Sequence, residues 1–408
     1  MAIQQSTTPA TALTKAKYEA EFTEAMMVRR LYDQFSIGVD ENGMVESGNF
    51  MGSSYYKHYL SDLPPSTTVI SQTADITPKT LVDATSSISP TSRADAIQWA
   101  EAVELYSYTP WGSAAFKRVG SAAMETLELL AINAALQGDM VIKTQAARAS
   151  FDHDTAGDLF TEASLFKAAS IMPSLKAAPF MGNGRPQWLA LFHSDLMYDL
   201  IENDNVVSVA KYQDKEILFN GEIGQTIHGF KLLADPQAKV FYGAGAAGDS
   251  PVATTLAAAV AALDIAATLT AGTNVVPNQW LVVGTAESGN TFYETNERIR
   301  AKSSYPAAST ALTLLGPGAN GGFRFAHDIL TAVTNKDNVY PVLFGSPTSL
   351  VKMYHSDIGP FAKIVGPKVS GMADQFKSLA YKWHGGYGLA VPTAALRGEY
   401  ACTLGANA

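Results

Sequence analysis

The sequence predicts an α+β fold, and three observations support that prediction. A long amphipathic helix follows Thr109-Pro110, with apolar residues repeating at three- and four-residue steps. The stretch 218–233 contains Asn220-Gly221, a dipeptide typical of tight turns because both central residues need positive φ, and then an apolar run typical of a strand. Short β-prone runs separated by Gly-rich turns fill much of the remaining chain.

The composition indicates a chain that associates with other copies of itself. Of its 408 residues, 47% are hydrophobic and only 16% are charged, which is little charge for a freely soluble monomer. The net charge of −9 argues against a protein that coats nucleic acid by neutralising phosphates. The single Cys402 excludes an internal disulfide framework and fits synthesis in a reducing cytoplasm.

The first 108 residues divide into two segments of different composition. Residues 1–10 are small and polar, with no sign of a signal peptide, and residues 11–35 have the apolar spacing of a helix. Residues 38–108 are rich in Ser, Thr, Pro and Gly, with one predicted strand at 67–70 and another in which Ile97, Trp99, Val103 and Leu105 alternate. Because this region has few core anchors, we expect a long hairpin lying on a neighbouring copy.

The best helix follows, and after it comes a set of shorter elements. Thr109 is a good N-cap, Pro110 suits the first helical position, and Gly138 supplies the stop. The pattern then predicts a helix over 161–172, a strand over 187–192 and a helix over 195–202 capped by Ser194. Further strands are expected at 340–344, 362–365 and 383–391.

Residues 243–338 have a composition of their own. The Ala-rich segment 252–269 predicts a helix, too short and too polar to span a membrane, and the runs 280–283 and 311–315 predict strands. We expect a small helix plus a β-rich subdomain with its own core, which would include Val260, Leu263, Trp280, Val282 and Leu314.

A glycine-rich stretch near residue 243 has the pattern of a dinucleotide site. Gly243-Ala-Gly-Ala-Ala-Gly248 fits the glycine spacing of such a site and precedes the predicted helix. However, no strand ending in an acidic residue follows about 20 positions later, and Asp249-Ser250-Pro251 separates the glycines from the helix. We therefore interpret the glycines as a boundary between segments and predict no cofactor.

The sequence also contains fragments of metal-binding and catalytic motifs. Residues 152–158 resemble a calcium loop, but Ala163 occupies the position that needs a bidentate Glu, so a solvated loop that caps the following helix is the better interpretation. The seven histidines lack zinc-site spacing. His193, Ser194 and Asp195 are adjacent, which does not by itself make a nucleophile–base pair. We predict no metal ligands, no catalytic residues and no enzyme.

Three strings carry a resemblance to a known family. They are Ile217-Leu-Phe-Asn-Gly-Glu-Ile-Gly224 with His228-Gly-Phe230, the segment 188–203, and Phe376-Lys-Ser-Leu-Ala-Tyr-Lys-Trp-His-Gly-Gly-Tyr-Gly-Leu-Ala390. In these strings the chain resembles major capsid proteins of the coliphage N-four type, which are similar to the Hong Kong 97-type capsid fold. The residues that carry the resemblance are Asn220, Gly221, Glu222, Gly224, Gly229, Trp383, Gly385, Gly386 and Gly388.

The resemblance implies an architecture and a function. It implies an N-terminal arm (1–37), an extended loop (38–108), a spine helix and peripheral domain (109–186), the first part of an axial domain (187–242), an insertion (243–338) and return strands of both domains (339–408). The implied function is a shell of hexamers and pentamers around phage DNA, assembled in the host cytoplasm. Separate scaffolding and portal proteins are the expected partners, with decoration proteins as an optional addition.

Two further functions stay open at this point. A cellular nanocompartment of the same fold would enclose an enzyme instead of DNA. A cytoplasmic dinucleotide-dependent enzyme built around the Gly243 loop is the remote alternative.

Overall fold

The chain forms two compact units. The structure, a computed structural model, describes residues 31–39, 55–60, 63, 65, 78–106, 111–175, 177, 179–182, 185–202, 227–247, 252–271, 275–302, 310–316, 321–345, 349–354, 359, 361–370, 375–390, 392 and 395–405. The first unit comprises Met1–Ala135 and Thr348–Pro392, and the second comprises Leu136–Pro347 and Thr393–Ala408.

The described elements are four α-helices, nineteen strands and short 3-10 turns. The helices are α1 (Glu101–Tyr106), α2 (Trp111–Ala135), α3 (Glu162–Ile171) and α4 (Leu196–Glu202), and the 3-10 turns include Asp33–Phe35. The strands are β1 (Ile37–Val39), β2 (Tyr55–Leu60), β3 (Asp83–Ile88), β4 (Thr91–Ala100), β5 (Met140–Lys143), β6 (Phe180–Gly182), β7 (Arg185–His193), β8 (Phe230–Asp235), β9 (Ala253–Thr255), β10 (Ala266–Thr268), β11 (Trp280–Val283), β12 (Glu297–Ala301), β13 (Ala311–Leu315), β14 (Ala332–Thr334), β15 (Tyr340–Gly345), β16 (Leu350–Tyr354), β17 (Lys363–Ser370), β18 (Phe376–Leu389) and β19 (Leu396–Tyr400).

The predicted long helix is confirmed as α2, the longest helix of the first unit. Its buried side chains recur at helical spacing and pack against Leu379, Tyr381 and Trp383 of β18. The Thr126 hydroxyl adds a polar contact of 2.9 Å to the hydroxyl of Tyr381. Burying each large side chain here contributes about 1.5–3 kcal/mol. The predicted cap, Thr109, lies outside the described residues.

A sheet in the order β1-β16-β18-β17 lies against this helix, with β4 also paired to β18. The long strand β18 holds the sheet together, because it pairs with β4 over ten residues and with β16 and β17 in turn. Its residues alternate between the helix side and the opposite side, as the two-residue period of a strand requires. Strands β2 and β3 form a separate antiparallel pair.

One prediction for the first unit is wrong, and two others fall largely or wholly outside the described residues. The predicted strand through Ile97 and Trp99 ends at Ala100, and Val103 and Leu105 lie in α1. The helical turn brings Glu104 back to accept a hydrogen bond from the Trp99 indole, which an extended chain would not do. Of the predicted helix over 11–35 the structure describes only residues 31–35, where Asp33–Phe35 form a 3-10 turn. Residues 1–30 and the predicted strand at 67–70 lie outside the described residues.

The second unit is built on a six-stranded sheet. Its order is β5-β19-β15-β7-β6, and β8 pairs with β7 in parallel. The predicted helices and strands at 161–172, 187–192, 195–202 and 340–344 are confirmed as α3, β7, α4 and β15. Strand β19, between β5 and β15, was not predicted although all five of its residues are buried.

Residues 252–335 form a closed antiparallel barrel. The strand order is β10-β13-β12-β11-β14-β9, and the two outer strands meet through the Leu256–Leu269 bridge. The main-chain bonds from Ala257 N to Thr268 O and from Thr270 N to Thr255 O, both 2.8 Å, complete the closure. Strands β14, β11, β12 and β13 lie in Greek-key order, and closure pairs the two outer strands, β9 and β10, with each other.

The predicted Ala-rich helix is wrong, because the segment supplies β9 and β10. Alternate positions such as Val252, Leu256, Ala267 and Leu269 are buried in the barrel core, so the segment follows a period of two. Burial and strand pairing outweigh the helix propensity of alanine here. The predicted strands at 280–283 and 311–315 are confirmed to the residue as β11 and β13.

The predicted core of this segment is right in part. Val260 and Leu314 belong to the barrel core, and Val282 is buried. Trp280 is only half-buried, with the guanidinium of Arg298 stacked 4.3 Å from its ring centre. Leu263 is 55% exposed, because it occupies a turn with a φ of 78°. The boundaries of the six segments implied by the resemblance stay a prediction.

The contrast between two leucines tests the barrel. Leu281→Ala should lower the free energy of unfolding by about 2–5 kcal/mol, because it leaves a cavity in the barrel core. The same change at exposed Leu263 should cost less than about 0.5 kcal/mol. Urea unfolding of both variants measures the difference, and equal losses would contradict the assignment of core and surface.

Candidate functional site

A buried carboxylate on α2 holds the N-terminal segment of the first unit. Glu128 Oε1 accepts hydrogen bonds from the main-chain N–H groups of Leu31 (2.9 Å) and Tyr32 (2.5 Å), and Oε2 accepts one from Asp33 (3.1 Å). These amides precede or begin the 3-10 turn, where no helical partner is available to them. Glu128 thus caps this turn across the interior of the unit.

Asp33 makes a second anchor from the same turn. Its Oδ1 lies 2.5 Å from the Lys352 ammonium on β16 and accepts a hydrogen bond of 2.6 Å from the Tyr387 hydroxyl on β18. Asp33 and Lys352 are both buried, and each neutralises the charge of the other, which would destabilise the fold if it were buried alone. Together with Glu128, this pair attaches one short segment to the helix and to two strands.

The environment of Glu128 changes its acidity. Burial raises the pKa of the carboxyl from 4.5 to about 7, although the three main-chain donors oppose that rise. The carboxyl therefore changes charge close to neutral pH, while it holds the N-terminal segment.

The glycine run of β18 lets another strand approach closely. A methyl group on Gly388 would collide with the Ile88 side chain, and one on Gly386 would meet the Ser89 carbonyl. At Gly385 the obstacle would be the carbonyl of Met353 on β16. Gly386 and Gly388 therefore leave room for the end of β3, which packs directly on the sheet in a small core that includes Ile88.

The remaining residues of the predicted family signature have different outcomes. Trp383 is buried against α2 and stacks on Tyr387 at 5.6 Å. Gly229 lies in a tight turn with positive φ at both His228 (48°) and Gly229 (84°), and β8 leaves this turn as predicted. Asn220, Gly221, Glu222 and Gly224 lie outside the described residues. Their role as a signature stays a prediction.

A buried charged network organises the second unit. Arg148 makes two hydrogen bonds to Glu399 on β19 (2.6 and 3.0 Å), and its guanidinium lies 3.9 Å from the Phe241 ring centre. The remaining donors reach the carbonyls of Glu287 (3.1 Å) and Gly289 (2.7 Å). Arg148 therefore ties the core sheet to the loop between β11 and β12.

Further contacts fix the same loop. Lys239 lies 2.8 Å from Glu287, and Arg397 on β19 donates to Asn290 at 2.9 Å. Burial raises the pKa of Glu287, with Lys239 opposing the rise. Sequence reasoning missed this network, since its members look like surface charges. The only signal was the presence of Arg397 and Glu399 between the apolar ends of a short strand.

The Gly243 loop does not have the geometry of a dinucleotide site. The Gly243 amide donates to Asn338 Oδ1 (3.0 Å) and the Gly245 amide to the Asp337 carbonyl (2.8 Å), so neither is directed at a ligand. The next element is strand β9, whereas such a site needs a helix N-terminus.

Hydrogen bonds within the 152–158 loop, and from Thr144 and Gln145 before it, fix the loop. Asp158 accepts hydrogen bonds from Thr144 and Gln145, and Asp152 accepts one from the Asp154 amide. Asp152, His153 and Asp154 form a small cluster, and His153 Nδ1 contacts Asp337 at 2.8 Å. Burial alone would lower the pKa of His153, but the carboxylates around it raise that pKa, which favours an ion pair. The expected capping of α3 by this loop is not observed among the described residues, because the carboxylates of Asp152 and Asp158 accept the hydrogen bonds named above, and the N-cap residue Thr161 makes no side-chain cap either.

His193 and Asp195 form a contact that also includes the Tyr340 hydroxyl. His193 Nδ1 lies 3.3 Å from Asp195 Oδ2, and that oxygen also accepts a hydrogen bond of 3.0 Å from the Tyr340 hydroxyl. Burial works to raise the pKa of Asp195, but its contacts with His193 and Tyr340 lower it overall. At the start of α4, the main-chain N–H of Met197 donates a hydrogen bond to the Ser194 carbonyl.

None of the helices that the structure describes is long and apolar enough to cross a membrane.

The acidity of Glu128 gives a pH prediction. Because its folded-state pKa is raised, its stabilising contribution is complete below pH 4.5 and is lost as the pH rises to about 7. The loss amounts to about 3 kcal/mol. Glu128→Gln keeps the shape of the neutral acid, so the variant should gain about that much over the parent between pH 4.5 and 8. Urea unfolding at both pH values measures it.

The control is Glu125→Gln, one turn earlier on α2 at a partly exposed position. It removes the same charge from the same helix, and its difference from the parent should be equal at both pH values. A Glu128→Gln variant whose difference from the parent is independent of pH would contradict the account.

Comparison with known proteins identifies the fold. No protein-family model matches the chain, and no curated protein matches its sequence. The chain is similar to the solved capsid of cyanophage P-SCSP1u, with 12% identity, a TM-score of 0.50, and coverage of 91% of this chain and 87% of that one. It is also similar to the capsid of cyanophage Pam1, with 10% identity, a TM-score of 0.51 and 86% coverage of both chains. The chain therefore has the Hong Kong 97-type phage capsid fold.

Proposed function

We propose that this chain is a major capsid protein, which self-assembles into an icosahedral shell around phage double-stranded DNA. The observation that supports this most strongly is the extent of the fold match, which covers 86–91% of the chain and both of its units. Closed shells reuse one set of contacts between copies, so a chain with this fold needs complementary surfaces on each unit.

Exposed apolar side chains supply such surfaces on both units. In the first unit, the last two residues of α1, Leu105 and Tyr106, are 74% and 85% exposed. In the second unit, Phe166 on α3 and Tyr198 and Ile201 on α4 are exposed. Large apolar groups left in water are typical of surfaces that become buried on association.

The finer assignments are part of the same proposal. The shell consists of hexamers and pentamers, assembles in the host cytoplasm with separate scaffolding and portal proteins, and resides in the virion. The coliphage N-four type is supported by the three sequence strings alone. The role is structural, without catalysis or a cofactor, and a decoration protein is an optional partner.

We further propose that the barrel protrudes from the outer surface of the shell. Its separate hydrophobic core supports this, since an independent core tolerates exposure on a shell surface. The barrel is nevertheless not a freely replaceable insertion. A short linker in its place would remove Glu287 and Asn290, and with them contacts of Lys239 and Arg397 in the second unit.

The nanocompartment alternative differs only in what is enclosed. Purified native particles that contain nuclease-protected DNA support the phage shell, whereas an enclosed enzyme supports the compartment. Terminase and portal genes beside this gene would favour the phage shell.

Assembly is the direct test. Negative-stain electron microscopy of the purified protein at high concentration should show closed shells. Leu105→Asp combined with Tyr106→Asp should abolish them, because two charges would be buried between copies, while circular dichroism shows an unchanged fold.

The matched control is Leu330→Asp on the barrel, a leucine that is also largely exposed. It should leave the shells intact if the barrel protrudes. A parent protein that stays a monomer or small oligomer at every concentration would contradict the proposed function, and shells lost only in the control would contradict the placement of the barrel.

A further inference from the structure

The sheet of the first unit has an exposed basic region on the side opposite α2, next to the part of that side where the end of β3 covers Gly386 and Gly388. The odd-numbered residues Leu379, Tyr381 and Trp383 of β18 are buried under the helix, so the even-numbered residues between them lie on the other face. Lys382 is one of these. Lys363 lies directly opposite Lys382 on β17, and Lys368 lies opposite Ser378, so all three lysines share this face. We call it the lysine face.

The two paired lysines repel each other. Directly opposite residues on an antiparallel pair have Cβ atoms about 4.5–5.5 Å apart, and like charges there destabilise the sheet. Lys363 and Lys382 are both exposed. Lys368 adds a third positive charge. It lies opposite Ser378, which is four residues from Lys382 along β18, or about 13 Å.

Nothing on these strands offsets that charge. On the same face, the described residues of β4, β17 and β18 include His384, Ser92, Gln98 and several alanines, but no acidic residue. The Ser92 hydroxyl contacts His384 Nδ1 at 2.8 Å. In the described chain, no carboxylate pairs with any of the three lysines, whereas nearby Lys377 on the helix side pairs with Glu104 at 2.5 Å.

We propose that the lysine face binds the phosphate backbone of duplex DNA, without regard to base sequence, and therefore faces the enclosed DNA. This inference rests on the proposed function and deepens it by naming the surface that contacts the genome. Phosphates relieve the repulsion between Lys363 and Lys382, and long lysine side chains act as adaptable point charges.

Duplex DNA suits this face better than an acidic protein does. Around the lysines the face is lined by small side chains such as Ala94, Ala96 and Ala380, and the exposed Phe376 at its far end is a single apolar group, which is little to anchor a folded partner. DNA carries one charge for about every 1.7 Å of its axis, so a 13 Å row of lysines meets several phosphates. The net charge of −9 keeps the rest of the surface from adhering to DNA, which makes the contact local.

The salt dependence of DNA binding tests the proposal. Unassembled subunits are titrated into a labelled duplex of about 20 base pairs, and anisotropy is followed at several salt concentrations between 50 and 200 mM. The triple variant Lys363→Gln, Lys368→Gln and Lys382→Gln should bind roughly tenfold more weakly or worse. The slope of log K against log salt should become shallower by about 2 to 3, one counterion for each lysine lost.

The control removes three exposed lysines from the second unit. Lys143→Gln, Lys167→Gln and Lys231→Gln change the net charge equally and should leave the slope within about one unit of the parent. Equal effects of the two triple variants, an unchanged slope in the first, or tighter binding of polyglutamate than of DNA by the parent would overturn the proposal. Because the first variant should still form shells, this result is separate from the assembly test.

A single substitution separates binding from stability. Lys382→Glu replaces the repulsion with an opposite-charge pair to Lys363, so it should raise the Tm and also weaken DNA binding more than Lys382→Gln does. A lower Tm, or DNA binding as tight as in the parent, would contradict the proposed role of this face.

Discussion

One buried carboxylate determines where the N-terminal segment meets the first unit. Glu128 lies in the C-terminal half of α2, where it accepts hydrogen bonds from three main-chain N–H groups of a segment almost a hundred residues earlier in the chain. Asp33 uses the same segment to reach the sheet through Lys352 and Tyr387. Helix, sheet and N-terminal segment are thus fixed together, and the lysine face is left on the opposite side of the sheet.

The second unit uses the same physical device for a different segment. Arg148 and Arg397 share Glu399 on β19, and each arginine also donates a hydrogen bond to the loop that joins β11 to β12. A buried charge without its partner costs several kcal/mol, so each loop has one strongly preferred position. Irregular segments are held by paired charges in both units, while α2 and the strands are held by apolar packing.

The sequence was informative wherever a segment's own periodicity decided its structure. The helix α2 and the strands β11 and β13 were predicted well, since three- or two-residue spacing is visible within a few turns or residues. The Ala-rich segment was misassigned, because its strands exist only through pairing with β13 and β14 far along the chain. Strand β19 and the anchor at Glu128 were missed for a related reason. Charged residues such as Arg397 and Glu128 look solvent-exposed until their distant partners are known.

Hydrogen exchange tests the anchoring of the N-terminal segment most directly. Peptides covering residues 31–36 should be protected in the parent protein, because their amides donate to a buried carboxylate. In Glu128→Ala, the amides of Tyr32 and Asp33 should exchange at least tenfold faster, while peptides from the core of α2 keep their protection. Equal exchange of residues 31–36 in the two proteins would show that Glu128 does not hold this segment.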